Sequence, residues 1–235
     1  MQLIETSVVG VRSAVITMQR PGTQLRIQLF PMLHLGTAAF FKQVTERLCR
    51  CQVVVVEGVG GQSVLTRALT TAYRSPARSK RLGLVVQDID YGALAIAGVE
   101  LLTPDLTGEQ VSRGWRTVPW LHRLGVLVLV PVFALGFRLF GSRYMLGTCL
   151  AIDDEPSELD EQLREMSPAM TKLLVDDRDR LVAKALDALV SARGAEPIVV
   201  GVVYGAGHMP AVIHALAACG FKPRTAEWLT VFGYD

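Results

Sequence analysis

The sequence predicts an α/β fold: a single domain over residues 1–235, with a mixed, mostly parallel sheet flanked by helices. Two patterns carry this reading. Short uninterrupted apolar runs, Val53–Val56 and Ile198–Val203, are the signature of strands buried on both faces. Stretches with apolar residues at helical spacing separate them, and strands alternating with helices build a parallel sheet. At 235 residues the chain can bury one sizeable core, and no Gly/Ser-rich or Pro-rich linker and no internal repeat divides it.

The elements come in this order. Residues 6–18 and 24–30 are rich in β-branched and apolar side chains, and Arg20-Pro21-Gly22-Thr23 between them is a turn signal, so they pair as an N-terminal hairpin. Thr37 caps a helix through Arg50, with Phe40, Phe41, Val44 and Leu48 on one face. After Val53–Val56, Gln62–Tyr73 reads as helix and Leu82–Val86 as a short strand. Tyr91–Ala97 reads as helix and Val99–Leu102 as a further strand. Ser167-Pro168 starts a long helix toward Arg193-Gly194, with serine at the cap and proline at the first helical position. Ile198–Val203 is a strand, Pro210 opens a helix to Cys219-Gly220, and Trp228–Phe232 is the last strand.

The segment from Gln110 to Ile152 differs from the rest. Its 43 positions hold no acidic residue, but they hold five arginines (Arg113, Arg116, Arg123, Arg138, Arg143) and the tryptophans Trp115 and Trp120. Leu124–Phe137 is uncharged, shorter than the roughly 20 apolar residues of a bilayer span, and Pro131 interrupts it. We expect a helical hydrophobic insertion. It either contacts a membrane surface, forms a homodimer, or packs as a buried helix pair. Six acids between Asp153 and Glu161 come directly after it and read as a solvated loop or helix start.

A net charge of +2 gives no global basic field, which argues against nucleic acid as a partner. The spacing of Cys49, Cys51, Cys149 and Cys219 fits neither a zinc ribbon nor a disulfide framework, and they read as reduced and mostly buried. Glu5 and Arg12 interrupt the first apolar stretch, so no secretory signal is expected and the location expected is cytoplasmic.

The chemistry sits at the strand ends. His34 follows the run Arg26–Leu33, Glu57 follows four valines, and His208 follows Val199–Val203 through Tyr204-Gly205-Ala206-Gly207. Ligands of open α/β sheets bind beyond the carboxyl ends of the strands, so the three can converge on one crevice. Two imidazoles and a carboxylate match a hydrolytic metal site with one position open for water, holding zinc, manganese, cobalt or iron. Glu57 is alternatively a general base. A polar cluster without chemistry is the competing reading. Asp88 and Asp90 end a strand and either orient an imidazole or cap a turn. Tyr204 either donates to a developing oxyanion or packs. His122 and His214 read as structural or surface residues.

These motifs resemble the TraB/PrgY group, related to the Tiki and GumN proteins and more distantly to erythromycin esterases. The resemblance rests on Gly205-Ala206-Gly207-His208 as the second G-x-x-H motif and on Val56-Glu57-Gly58 as the strand-ending glutamate. It rests also on Asp177-Arg178-Asp179-Arg180 as a close variant of a Glu-Arg-Asp-Arg run. The first motif departs at Pro31, where glycine is usual before Met32-Leu33-His34. The resemblance implies a metal-dependent hydrolase of peptides or small amides and esters, with Arg178 as a clamp for a carboxylate or oxyanion. The alternative is a protein that binds and sequesters a peptide or small ligand in the same crevice without turnover.

Overall fold

The computed structural model describes residues 1–58, 64–148, 152–153 and 164–234. The chain is mixed α/β, with a mostly parallel mixed sheet flanked by helices and an N-terminal hairpin. The strands are β1 (Gln2–Ser7), β2 (Gly10–Gln19), β3 (Arg26–Met32), β4 (Leu35–Gly36), β5 (Val53–Val56), β6 (Val85–Val86), β7 (Glu100–Leu102), β8 (Ile152–Asp153), β9 (Val199–Gly205) and β10 (Lys222–Gly233). The helices are α1 (Ala38–Leu48), α2 (Val64–Ala77), α3 (Tyr91–Ile96), α4 (Gly108–Thr117), α5 (Trp120–Phe140), α6 (Arg143–Gly147), α7 (Pro168–Thr171), α8 (Asp177–Arg193) and α9 (Met209–Ala218).

Strands run in the order β7-β5-β9-β3-β2-β1-β8, with β10 also paired to β2. The pairs β7–β5, β5–β9 and β9–β3 are parallel. The pairs β3–β2, β1–β2, β10–β2 and β1–β8 are antiparallel. Only β2 and β8 therefore run against the other strands of this sheet. β10 pairs with β2 along Gly10–Gln19, which leaves the other edge of β2 to be shared by β3 and β1.

Each face of the sheet carries a core. Phe30, Val54, Val56 and Val203 pack with Phe40, Phe41 and Leu48 of α1 on one face. Ile27, Val53, Val55, Val200 and Val202 pack with Val182, Leu186, Val212 and Leu216 of α8 and α9 on the other. The four valines of β5 are buried between the two, as an all-apolar strand requires. Thr37 caps α1 by accepting from Phe40 N at 3.3 Å. Among the cysteines, Cys51 is buried and Cys49 and Cys219 half-buried, all three free; Cys149 lies outside the described residues.

Several expectations change. The apolar run 6–18 is not one strand: it breaks at Val8-Val9, both exposed, where Gly10 (φ 147°) turns the chain from β1 into β2. Leu82–Val86 yields only β6, which pairs with β4 in a separate two-stranded sheet. The last strand is longer than Trp228–Phe232 because β2 pairs with β10 from Lys222 onward. The helix starting at Pro168 keeps its length, but Ser167 makes no side-chain cap bond; its hydroxyl lies 2.9 Å from His122 Nδ1. A π turn, Lys172–Asp176, interrupts this helix before α8. The insertion is helical, as α4, α5 and α6, but α5 is no buried core helix: of its residues only Ala134 is buried. It runs through Pro131 as one helix. Most of the acidic stretch 153–161 lies outside the described residues.

Candidate functional site

The site is built where four parallel strands end. Register places Met32 of β3 opposite Gly205 of β9, Val56 of β5 opposite Val203, and Val55 opposite Leu102 of β7. Residues just past these positions share one edge of the sheet. His34, Glu57, Asp105 and the Gly205–His208 turn are those residues.

Gly205 and Glu57 are in direct contact. The Gly205 N–H donates to Glu57 Oε2 at 2.5 Å. A Cβ built on Gly205 would stand 3.0 Å from that oxygen, so the glycine leaves room for the carboxylate. The chain then enters the turn Ala206–His208, and Pro210 in the first turn of α9 helps start the helix.

Arg178 holds the site together. Its Nε and Nη2 donate to Asp105 Oδ1 and Oδ2 at 2.9 and 2.7 Å, a two-pronged pair. Nη2 also donates to Glu57 Oε1 at 2.5 Å, and Nη1 lies 3.2 Å from His208 Nε2. The guanidinium side chain is 13 % exposed and Asp105 only 1 %. Asp105 accepts two further bonds, from Gly58 N (3.0 Å) and Leu106 N (2.7 Å). The π turn sets this aim. One extra residue in a helical turn rotates everything after it by about 100° relative to an uninterrupted α-helix. Gly114 of α4 makes room for it: a Cβ there would stand 2.5 Å from Leu173 Cδ1.

His208 is fixed from both sides of its ring. Nδ1 is 2.6 Å from Asp179 Oδ1. A guanidinium only donates, so in the neutral ring Nε2 accepts from Arg178 and the proton sits on Nδ1, directed at Asp179. The ring edge also packs against Tyr204, centroids 6.1 Å apart.

These contacts set the electrostatics. Burial alone pushes the Glu57 carboxyl up; the Arg178 guanidinium, His208 and the Gly205 N–H outweigh it and hold it below the usual carboxylate range. Asp105 behaves alike: burial raises it, and the bonds from Arg178, Leu106 and Gly58 bring it below its ordinary value. Burial disfavours the Arg178 charge, but Asp105 and Glu57 more than restore it. His34 stands at the open rim, its ring packed on Tyr73 of α2 with centroids 4.1 Å apart. It is accessible on its outer side, yet enough protein surrounds it to strip water from the ring. That desolvation lowers its pKa; Glu57 opposes the shift, while Arg178 and His208 add to it. His34 thus lies within electrostatic reach of Glu57, Arg178 and His208, and its ring contact is with Tyr73.

The structure brings Glu57, Arg178 and His208 into contact at one sheet edge, while His34 follows β3 at that edge without a hydrogen bond to them among the described residues. It adds two residues that the sequence did not single out. Asp105 lies three residues past β7, and the signal for it is its place after an apolar strand, the same place that marks Glu57. Asp179 lies inside the charged run Asp177–Arg180, where its helix neighbour Arg178 is the more conspicuous residue. Other candidates have other roles. Asp90 caps α3 by accepting from Ala93 N at 2.9 Å. Asp88 lies apart from the Arg178 cluster, with no side-chain bond to any of its members among the described residues. Tyr204 is buried and its hydroxyl donates to Pro104 O at 3.1 Å, the packing role. His122 and His214 are exposed.

A divalent metal between His34, Glu57 and His208 would need free lone pairs on all three. Among the described residues, no group of three or more His, Cys, Asp or Glu side chains is placed to hold one. Glu57 Oε1 accepts from Arg178 and Oε2 from Gly205, and Nε2 of a neutral His208 accepts from Arg178. In this arrangement the guanidinium is the cation between Glu57 and His208.

The fold and site together define an α/β protein with an arginine-centred cluster of carboxylates and imidazoles at the carboxyl edge of its sheet. Comparison with protein-family profiles, with curated proteins and with solved structures finds no match.

Proposed function

We propose that the chain is a hydrolase of peptide or small amide and ester bonds, working at the Arg178 cluster without a bound metal. The observation that supports this most is the hydrogen-bonded Arg178–Glu57–Asp105–His208 cluster at the carboxyl edge of the sheet, with His34 just past β3 on the same edge. The resemblance of the three motifs to the TraB/PrgY group points to the same reaction class.

In this reading His34 is unprotonated at neutral pH, because its pKa lies below the ordinary histidine value. It takes a proton from water as the oxygen attacks the substrate carbonyl. The developing oxyanion is held by the Arg178 Nη1 hydrogen that is not directed at His208. The imidazolium of His34 then returns the proton to the leaving amine or alcohol. Asp105 and Glu57 keep the guanidinium oriented, and Asp179 does the same for His208.

The test is hydrolysis of a panel of fluorogenic peptide amides and aryl esters, with and without chelator. Turnover that survives chelation and falls by about 100-fold or more in His34→Ala and Arg178→Lys supports the reading, the scale expected for losing a general base or an oxyanion donor. Turnover abolished by chelator and restored by manganese or zinc would replace it with the metal-dependent reaction. Peptide binding without turnover across the panel would replace it with the sequestering protein.

A further inference from the structure

We propose that α5 is a bilayer-docking face that lies flat in one leaflet, with the sheet and its site held on the aqueous side. By length and composition α5 is able to cross a membrane: 21 residues with a mean hydropathy of 1.9 over its most apolar window. At 1.5 Å per residue it is about 31 Å long, close to the thickness of a hydrocarbon core. A helix apolar on all sides belongs inside a protein or inside lipid. This one is outside the protein. Trp120, Leu129, Val132, Phe133 and Phe140 are 63–80 % exposed.

The topology decides between spanning and lying flat. β9 and β10 follow α5 in the chain, yet β9 lies between β3 and β5, and β10 lies along β2, all of which precede it. One crossing by α5 would put the two halves of a single sheet on opposite sides of the membrane. A second crossing before β9 would have to come from residues 141–198. The longest uncharged stretch early in that segment, Tyr144–Ile152, is too short, and six acids follow at once. The helix is also tied down at both ends. Val126 packs against the small core around Trp115 and Leu173, Phe137 packs against the core under α1, and Arg81 donates to the carbonyl oxygens of Leu139 and Gly141. Between these ties α5 packs along α2. One side of the helix therefore faces protein and the remainder is open.

Charge selects the occupant. Arg116 lies just ahead of α5 and Arg138 near its end; both are exposed, and neither has an ion pair among the described residues. No acidic residue lies between Gln110 and Ile152 to repel an anionic leaflet. Basic groups at both ends of an apolar helix, with Trp120 at its start, fit headgroups above acyl chains. A second copy of the same face would instead bring these arginines toward one another. The docked helix also bears on the position of the site, since α2 packs against α5 and also carries Tyr73, whose ring packs on His34.

The test is flotation of the full chain, made by cell-free translation with vesicles present, on phosphatidylcholine alone and on phosphatidylcholine mixed with phosphatidylglycerol. The protein is expected to float with both and to partition more strongly to the mixed vesicles, with about a fivefold loss of that preference for each of Arg116→Gln and Arg138→Gln. Leu129→Glu/Phe133→Glu is expected to stay in the bottom fraction, while Val8→Glu, at an exposed valine outside the face, floats like the parent. A second readout needs no disruptive variant: acyl-brominated lipid quenches Trp120 fluorescence, and Trp120→Phe removes that quenching. A chain that remains at the bottom with both vesicle types overturns the proposal. So does a discrete dimer that ignores lipid, or tryptophan fluorescence untouched by brominated chains.

Discussion

Replacing Asp105 by asparagine keeps the shape of the side chain and removes its charge, so it isolates what the carboxylate contributes. Each Asp105 oxygen accepts one guanidinium hydrogen and one backbone hydrogen: Oδ1 from Arg178 Nε and Leu106 N, Oδ2 from Arg178 Nη2 and Gly58 N. Whichever oxygen becomes an amide nitrogen, one bond of each kind is lost and donors face donors. The guanidinium keeps Glu57 but loses its two-pronged partner while remaining largely buried. Removing one member of a buried pair costs about 3–5 kcal/mol. With a urea m-value of about 2–3 kcal/mol/M, the unfolding midpoint of Asp105→Asn should fall by about 1–2 M. Arg178→Met alone strands two carboxylates and should also destabilise. In Asp105→Asn/Arg178→Met the donor clash is gone, so the double variant should be more stable than the sum of the singles by about 1–3 kcal/mol. Urea melts of the four proteins measure this. A single Asp105→Asn cost under about 1 kcal/mol, or additivity within about 0.5 kcal/mol, would refute the account of Arg178 as a buried, charge-dependent lock.

Two further outcomes are expected. His34 has a folded pKa below its unfolded value near 6.5, so unfolding takes up protons in that interval. Its contribution to stability is complete above about pH 6.5 and is lost as pH falls through the folded value, and Glu57 and Asp105 add a second loss below about pH 4, through their own lowered values. Urea midpoints taken from pH 8 to pH 4 should show the first slope, and His34→Gln should flatten it. Gly205→Ala puts a methyl group against Glu57 Oε2 and should cost about 1–3 kcal/mol; its loss of turnover should exceed what the thermal melt accounts for, because Glu57 is displaced while the strand persists.

How much of this was legible depended on local pattern. Val53–Val56 and Val199–Val203 could be read because strands buried on both faces need unbroken apolar runs, and the sheet edge they define carried Glu57 and His208 with it. Asp105 escaped although Val99–Leu102 reads as a strand, because it stands three residues past β7, behind Thr103-Pro104, whereas Glu57 directly follows β5. The β1–β2 turn escaped for a different reason. Val8 and Val9 are β-branched residues in a turn, and only the Gly10 backbone conformation reveals them. The π turn left no trace at all, since Leu173 and Leu174 keep helical spacing whether the helix is regular or bulged. The exposed state of α5 is a property of the assembled fold, because the same apolar run suits a buried core.

The place of β9 in the sheet also fixes the order in which the chain becomes complete. It is the strand that joins β3 to β5, but it is made after both by more than 140 residues. Until residues 199–205 leave the ribosome, two apolar strands have open edges facing one another across an empty slot. Such edges recruit other strands. The charges share this delay, since Glu57 and Arg178 are 121 positions apart and the Gly205 N–H comes 148 positions after Glu57. Nascent chains that stall before Val199 therefore expose two unpaired strand edges that β9 covers in the finished sheet.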